Sequence, residues 1–152
     1  MMQPIDPHTL FSIFEQGDEE IYREHKVEDV LNNPYVLMGM VLQGLQNYEI
    51  MDMMYRRSYP EQYKRVQGIV QTKYYSRLYS YLTRIDSTKF EAIYSIGESY
   101  NCQDILFGLE TLLYFFENIE AYEKCAVIKQ YMDLIRENLQ QKVASLDNNS
   151  YL

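Results

Sequence analysis

The chain is poor in the residues that most often carry catalysis or bind metals. It has no tryptophan, two histidines and two cysteines among 152 residues. A hydrolytic triad needs a nucleophile, a histidine and an orienting acid, and neither His8 nor His25 lies in a recognisable signature. Di-iron bundles use Glu-x-x-His twice, whereas Tyr22 stands three positions before His25. These absences argue against the familiar catalytic classes, and we predict a protein that is not an enzyme and holds no metal or cofactor.

Proline and glycine are also scarce, with four and six residues. Long stretches that contain neither favour helices over many short strands. The uncharged stretch 34–48 contains Gln43 and Gln46 and is shorter than the roughly 20 apolar residues of a membrane span. The first residues, MMQPIDPHTL, lack the basic-then-apolar order of a signal peptide, and two cysteines are too few for a disulfide framework. We therefore expect a soluble protein of the cytoplasm, or of the host cytoplasm or virion if it is viral, with Cys102 in a loop and Cys125 in the core.

Positive charge is scarce outside one segment. The net charge is −8, with 14 Lys and Arg against 22 Asp and Glu, which argues against a protein devoted to binding nucleic acid or anionic lipid. Residues 56–84 nevertheless hold seven basic residues and one acid. This asymmetry predicts pairing with acidic helices of the same fold or of another subunit, and it leaves contact with a polyanion as the alternative. The candidate residues for that alternative are Arg56, Arg57, Lys64, Arg65, Lys73 and Arg77.

An acidic stretch near the start, EEIYREHKVED, places Glu20, Glu24 and Glu28 on one helical face. The interpretation that we favour is a solvated acidic face and not a metal site, because the ligand pattern of a carboxylate-metal bundle is missing.

Apolar spacing and breaker residues divide the chain into helices. Pro60 suits the first position of a helix, Asn101 suits an N-cap, and Gly44 permits close helix contact. Apolar residues on nearly every side of residues 35–55 predict a central helix. The predicted helices cover residues 19–31, 35–55, 60–85, 90–96, 102–116 and 121–146.

No stretch alternates with a period of two, so the fold class is all-α. We predict a single-domain bundle of about five to seven helices that ends in an antiparallel helical hairpin. Residues 1–18 form a lead-in segment, residues 19–146 form the bundle and residues 147–152 form a frayed tail.

The segment KYYSRLYSYL, residues 73–82, raises the question of a nucleic-acid platform. On a helical wheel Tyr74 and Tyr81 join an apolar stripe and belong to the core, while Tyr75 and Tyr79 point away from the row of cations. A single-stranded nucleic-acid platform needs rings and cations along the same groove. The separation argues against that platform and predicts that Tyr75 and Tyr79 are exposed.

The stretch EAYEKCAVIKQYM, residues 120–132, resembles the second helix of UVR-type hairpins in its order of acid, aromatic, acid, small pair and basic residue. Cys125 and Ala126 stand in for the usual small pair, and Gln130 replaces the expected acid. The resemblance is confined to the last two predicted helices. It implies a protein-protein contact module of the kind used in excision-repair nuclease subunits.

Sixteen tyrosines and eight methionines exceed what a core of this size needs, and both residue types are favoured at protein interfaces. We therefore expect a helical protein-protein interaction protein: a subunit of a larger assembly or homo-oligomer, or an adaptor or inhibitor that docks on a host protein. Small acidic proteins of this kind are typical of viral or phage accessory and structural proteins. The predicted interface residues are Met51, Met54, Tyr55, Tyr75, Tyr79, Glu20, Glu24 and Glu28. The alternative is a nucleic-acid role, either contact through residues 56–84 or mimicry of DNA by the acidic faces.

Overall fold

The computed structural model describes residues 32–86, 88 and 101–149, and for residues 141–149 it describes the backbone alone. Within these residues the chain forms four helices and no strand, so the prediction of an all-α protein is confirmed for the described part. The helices are α1 (Pro34–Ser58), α2 (Pro60–Thr83), α3 (Cys102–Asn118) and α4 (Tyr122–Asn149). The helices predicted at 19–31 and 90–96, and the lead-in segment 1–18, lie outside the described residues.

Local sequence signals fix where the helices begin. The side chain of Asn33 accepts a hydrogen bond from the backbone N–H two residues on at 2.8 Å, and Pro34 takes the first turn of α1. Asn101 caps α3 in the same way at 2.9 Å, as predicted. Pro60 opens α2 as predicted, with Tyr59 alone separating it from α1. Each side-chain cap stabilises its helix by about 1 kcal/mol, so these boundaries are set by short-range chemistry.

The helices associate as two pairs. Gly44 on α1 faces Leu78 on α2, while Asp52 further along α1 accepts a hydrogen bond from Tyr63 near the start of α2. Later positions on α1 therefore meet earlier positions on α2, and these two helices run antiparallel. α3 packs chiefly on α4, and the two pairs meet through fewer direct helix contacts.

The core stripes follow the predicted spacing. Every residue of the apolar stripe predicted for the helix 60–85 is buried, which confirms the stripe: Val70, Tyr74, Leu78, Tyr81, Leu82 and Ile85. On α3 and α4 the buried members are Ile105, Leu109, Leu112, Phe116, Cys125, Ile128, Met132 and Ile135. Cys125 is a core residue as expected. Cys102 is buried at the start of α3 and does not lie in a loop, so that expectation is wrong.

A continuous row of aromatic rings joins the two helix pairs, and we call it the aromatic seam: Tyr48, Tyr75, Phe115, Phe116 and Tyr79. The ring centroids of Tyr48 and Tyr75 are 5.2 Å apart, and those of Tyr75 and Phe115 are 4.5 Å apart. Tyr79 meets Phe116 edge-on at 5.6 Å. Ring pairs at these separations are attractive beyond the area that they bury. The seam is therefore the main aromatic link between α1, α2 and α3.

The aromatic seam corrects the prediction that Tyr75 is exposed. Tyr75 is buried and Tyr79 is half-buried, because α2 packs against α1 with one flank and against α3 with another. Met51, on the inner face of α1, is also buried, so it is not part of the exposed surface on which it was predicted. The prediction that residues 35–55 form a central helix, and not a half-exposed one, is wrong for the outer face of α1, where Ile50 and Met53 are 59% and 60% exposed.

The close approach of the helices predicts opposite effects for two glycine substitutions. A Cβ at Gly44 would overlap Cδ2 of the buried Leu78, whereas a Cβ at Gly68 meets nothing within 4 Å. Overpacking costs about 1–3 kcal/mol, so Gly44→Ala should lower the free energy of unfolding. Gly68→Ala should raise it by about 0.5–1 kcal/mol, since alanine favours the helix. Chemical denaturation followed by circular dichroism measures both, and equal shifts for the two variants would contradict the packing.

Candidate interaction surfaces

A polar cluster around Asp52 lies between α1 and α2. The carboxylate of Asp52, whose side chain is 18% exposed, accepts hydrogen bonds from Arg56 Nε at 2.8 Å and from the Tyr63 hydroxyl at 2.7 Å. Gln67 Nε2 donates a longer hydrogen bond to it at 3.4 Å. A half-buried charge is stable only when it is paired and hydrogen-bonded. Arg56, one of the candidate polyanion contacts, is thus engaged within the fold.

Tyrosines surround this cluster and stay neutral in the folded protein. Burial, and then the hydrogen bond to Asp52, hold the pKa of Tyr63 above its usual value. Burial and the nearby Asp52 charge raise the pKa of Tyr48 to about 12. A raised phenol pKa means that the folded state keeps its proton longer than the unfolded state. The contribution of Tyr48 and Tyr63 to the free energy of unfolding is therefore fully present below pH about 10, the pKa of an unfolded tyrosine. It is lost as the pH rises through the higher pKa of the folded state.

The outer face of α1 carries an apolar surface, which we call the α1 patch: Ile50, Met53 and Met54. Their side chains are 59%, 60% and 63% exposed. Met54 is one of the predicted interface residues. Tyr55, predicted with it, is half-buried because its ring stacks on that of Tyr63 with 5.7 Å between centroids. Of the interface residues predicted on this helix, the α1 patch therefore contains Met54, together with its exposed neighbours Ile50 and Met53.

The outer face of α3 carries a row of exposed residues spaced alternately four and three apart, which we call the α3 stripe: Gln103, Phe107, Glu110, Tyr114 and Glu117. Phe107 and Tyr114 are 73% and 68% exposed. Spacing of this kind keeps side chains on one side of a helix. We did not predict this surface, although Phe107 and Tyr114 fall seven residues apart and off the apolar stripe of α3.

The cations of the 56–84 segment divide into engaged and exposed groups. Arg77 donates from Nε to the Tyr81 hydroxyl and lies over the Tyr81 ring, and Lys73 also has a contact partner. The exposed cations Arg57, Lys64, Arg65 and Arg84 form no ion pair with any residue that the structure describes. Arg56 pairs with Asp52 four residues earlier on the same helix, so the expected pairing of this segment with acidic helices stays a prediction.

A shallow groove of about 470 Å³ runs along the outer face of α2, and we call it the α2 groove: Arg65, Gly68, Ile69, Thr72 and Lys73. Ile69 is 53% exposed, and Gly68 leaves open space above the backbone. The Thr72 hydroxyl donates to the carbonyl of Gly68 at 2.8 Å, so it is used within the helix. The groove therefore has an apolar floor with a cation at each end.

The remaining predicted interface residues differ in how far they are exposed to solvent, and three of them lie outside the described residues. Tyr79 is half-buried under the side chain of Lys124, whose Nζ lies 5.2 Å from the ring centroid. Tyr75 and Met51 are buried, as described above. Glu20, Glu24 and Glu28 lie outside the described residues, so the acidic face stays a prediction.

The surplus of tyrosine is partly absorbed by the core. Six of the described tyrosines are buried: Tyr48, Tyr63, Tyr74, Tyr75, Tyr81 and Tyr131. Their hydroxyls reach polar partners at several points; Tyr131, for example, donates to the carbonyl of Ile85 at 2.5 Å. The core therefore holds more tyrosines than expected, and the number of tyrosines overstates the area available for an interface.

The described residues carry no arrangement that points to chemistry at a metal. Across 32–86, 88 and 101–149, no group of three or more His, Cys, Asp or Glu residues lies close enough to hold an ion. None of the helices in that part of the chain is long and apolar enough to span a bilayer.

No family model, no curated protein and no solved structure matches this chain. The resemblance of residues 120–132 to UVR-type hairpins is therefore without support from a family model.

Two tyrosine-to-phenylalanine substitutions should change stability in opposite directions. The Tyr63 hydroxyl bonds to a carboxylate, so Tyr63→Phe should lower the free energy of unfolding by about 1.5–3 kcal/mol. The buried Tyr48 hydroxyl forms no hydrogen bond of good geometry with a described residue, although the Tyr63 hydroxyl lies near enough to lower its pKa slightly. Because an unsatisfied buried polar atom is costly, Tyr48→Phe should raise the free energy of unfolding by about 1 kcal/mol. Urea denaturation of the two variants provides the measurement, and destabilisation by both would mean that Tyr48 is hydrogen-bonded in solution.

Proposed function

We propose that this chain is a non-enzymatic helical interaction protein. It acts as a subunit of a larger assembly, or as an adaptor or inhibitor that docks on another protein, of the kind that viruses and phages encode. Its fold is a single bundle of five to seven helices, with α3 and α4 as the closing antiparallel hairpin. It works in the cytoplasm, or in the host cytoplasm or virion if it is viral.

The α1 patch is the observation that carries this proposal. Ile50, Met53 and Met54 expose most of their apolar surface to water, although the same helix buries Met51 and Tyr48 well. Burying a side chain of this size is worth about 1.5–3 kcal/mol, so docking a partner here releases free energy that the described fold leaves unused. Methionine is well suited to such a surface because its flexible thioether adapts to different partners.

A nucleic-acid role is the second candidate. It is favoured by the exposed cations Arg57, Lys64 and Arg65, which lie close in sequence to the half-buried rings of Tyr55 and Tyr59. Rings beside cations suit single-stranded nucleic acid. The net charge of −8 opposes it through long-range repulsion. The version in which acidic faces mimic DNA depends on residues 20–29, which lie outside the described part of the chain.

The interaction role is tested by placing charge on the α1 patch. We expect the double variant Met53→Asp/Met54→Asp to lose a protein that co-purifies with the tagged wild-type chain from its native source. The matched control Gln43→Asp/Gln46→Asp adds the same charge to exposed positions of the same helix and should keep that partner. With the purified partner, calorimetry should give at least about tenfold weaker binding for the patch variant, a loss of ~1.4 kcal/mol. Equal affinity for both variants, with unchanged helical content, would remove the α1 patch from the proposal.

The second candidate makes a separate prediction about salt. Fluorescence anisotropy with a labelled single-stranded oligonucleotide of about 12 nucleotides should show no binding if the interaction role is correct. Binding that weakens steeply between about 50 and 200 mM salt would support the nucleic-acid role. In that case Arg57→Glu should weaken it, while Arg136→Glu, on the distant α4, should not.

A further inference from the structure

The α3 stripe and the α2 groove carry charges of opposite sign. On α3, Tyr114 is an exposed ring with Glu110 four residues before it and Glu117 three residues after it. Glu117 also forms a long, exposed ion pair with Lys129 Nζ at 4.0 Å. In the α2 groove, Ile69 lies between Arg65 and Lys73, each four residues away. The α3 stripe thus has negative charges on both sides of a ring, whereas the α2 groove has positive charges on both sides of its apolar centre.

The dimensions of the two surfaces also agree. Glu110 and Glu117 are separated by about 10.5 Å along the helix axis, and Arg65 and Lys73 by about 12 Å. Gly68 leaves the hollow open, since a Cβ there would meet nothing within 4 Å. An exposed glycine within a helix costs about 0.5–1 kcal/mol relative to alanine. Nothing within the described fold requires that glycine, which is consistent with close approach by another molecule.

We propose that the α3 stripe of one copy of this chain docks in the α2 groove of a second copy. Tyr114 enters the hollow over Gly68 and Ile69. The flanking glutamates lie opposite Arg65, which is exposed, and opposite Lys73, which keeps the contact that it has within its own chain. This self-association uses residues other than those of the α1 patch, which is proposed to bind a partner protein. An experiment can therefore disprove one of the two contacts and leave the other standing.

The contact joins two different surfaces of the same chain, so it is heterologous. Each copy offers a groove and a stripe, and contacts of this kind form rings or open chains of subunits and not isolated dimers. The surface involved is small, and small interfaces are weak. Association should therefore depend on protein concentration and should proceed beyond the dimer.

The test uses two variants that each block one side of the contact. Arg65→Glu reverses the charge at one end of the α2 groove, and Tyr114→Lys brings a cation to it. In sedimentation velocity the wild-type chain should associate as its concentration approaches about 1 mM, the Kd of a weak contact, whereas each variant alone should associate at least about tenfold more weakly. An equimolar mixture should form a 1:1 dimer that grows no further, because it retains one intact stripe and one intact groove.

Matched controls separate this contact from a general effect of charge. Lys64→Glu makes the same charge change as Arg65→Glu at an exposed neighbour that does not line the groove. Tyr122→Lys removes an exposed tyrosine outside the α3 stripe. Both should associate like the wild type. If circular dichroism shows that a blocking variant is unfolded, Gly68→Trp replaces Arg65→Glu and Phe107→Lys replaces Tyr114→Lys.

Several results overturn the proposal. They are a wild-type chain that stays monomeric throughout the concentration range, blocking variants that associate like the wild type, and a mixture that remains monomeric. A monomer that instead binds a single-stranded oligonucleotide, with loss of binding in Arg65→Glu, assigns the groove to nucleic acid. A variant of the α1 patch that keeps self-association but loses its partner protein leaves this inference standing.

Discussion

The packing of large aromatic rings between two helix pairs is the constraint on which this structure depends. α1 and α2 form one pair and α3 and α4 the other, and Tyr75 reaches from α2 to within 4.5 Å of the Phe115 ring on α3, centroid to centroid. Each such ring pair contributes about 0.5–1.5 kcal/mol beyond its buried area. Glycine acts at two other contacts: Gly44 lets α1 approach Leu78 of α2, and Gly108 lets α3 approach Leu42 and Leu45 of α1.

Tyrosine in a core brings a hydroxyl that must be accommodated. The Tyr63 hydroxyl bonds to Asp52, and the Tyr131 hydroxyl bonds to the carbonyl of Ile85 at the end of α2. Each bond replaces water with a defined partner, so it fixes where one helix lies along another. Asp52 in turn is held by Arg56. The tyrosine content thus reflects polar links inside the bundle as well as contact area outside it.

Among the described helices, the sequence predicts the first residue of each to within one position, because a helix start depends on neighbouring residues. Pro60 and Asn101 act where they were expected, since a missing N–H and a short acceptor side chain favour the first turn of any helix. Tyr75 and Met51 were placed wrongly for the opposite reason. A helical wheel treats one helix alone, and the number of neighbours that a helix contacts is set by tertiary packing. α2 packs against both α1 and α3. More of its circumference is therefore buried than the apolar stripe seen in the sequence.

The exposed apolar residues are grouped on single helix faces, although contact with water favours polar residues at such positions. Phe107 is 73% exposed among acidic neighbours, and a polar residue there would leave the core of α3 unchanged. Single exposed apolar residues are ordinary on protein surfaces, whereas sets that follow one helical face are the usual mark of contact. Met53 and Met54 form such a set on α1, and Phe107 and Tyr114 form another on α3. Because these sets belong to different helix pairs, a chain that uses both makes two separate contacts, which is the requirement for a subunit that extends an assembly.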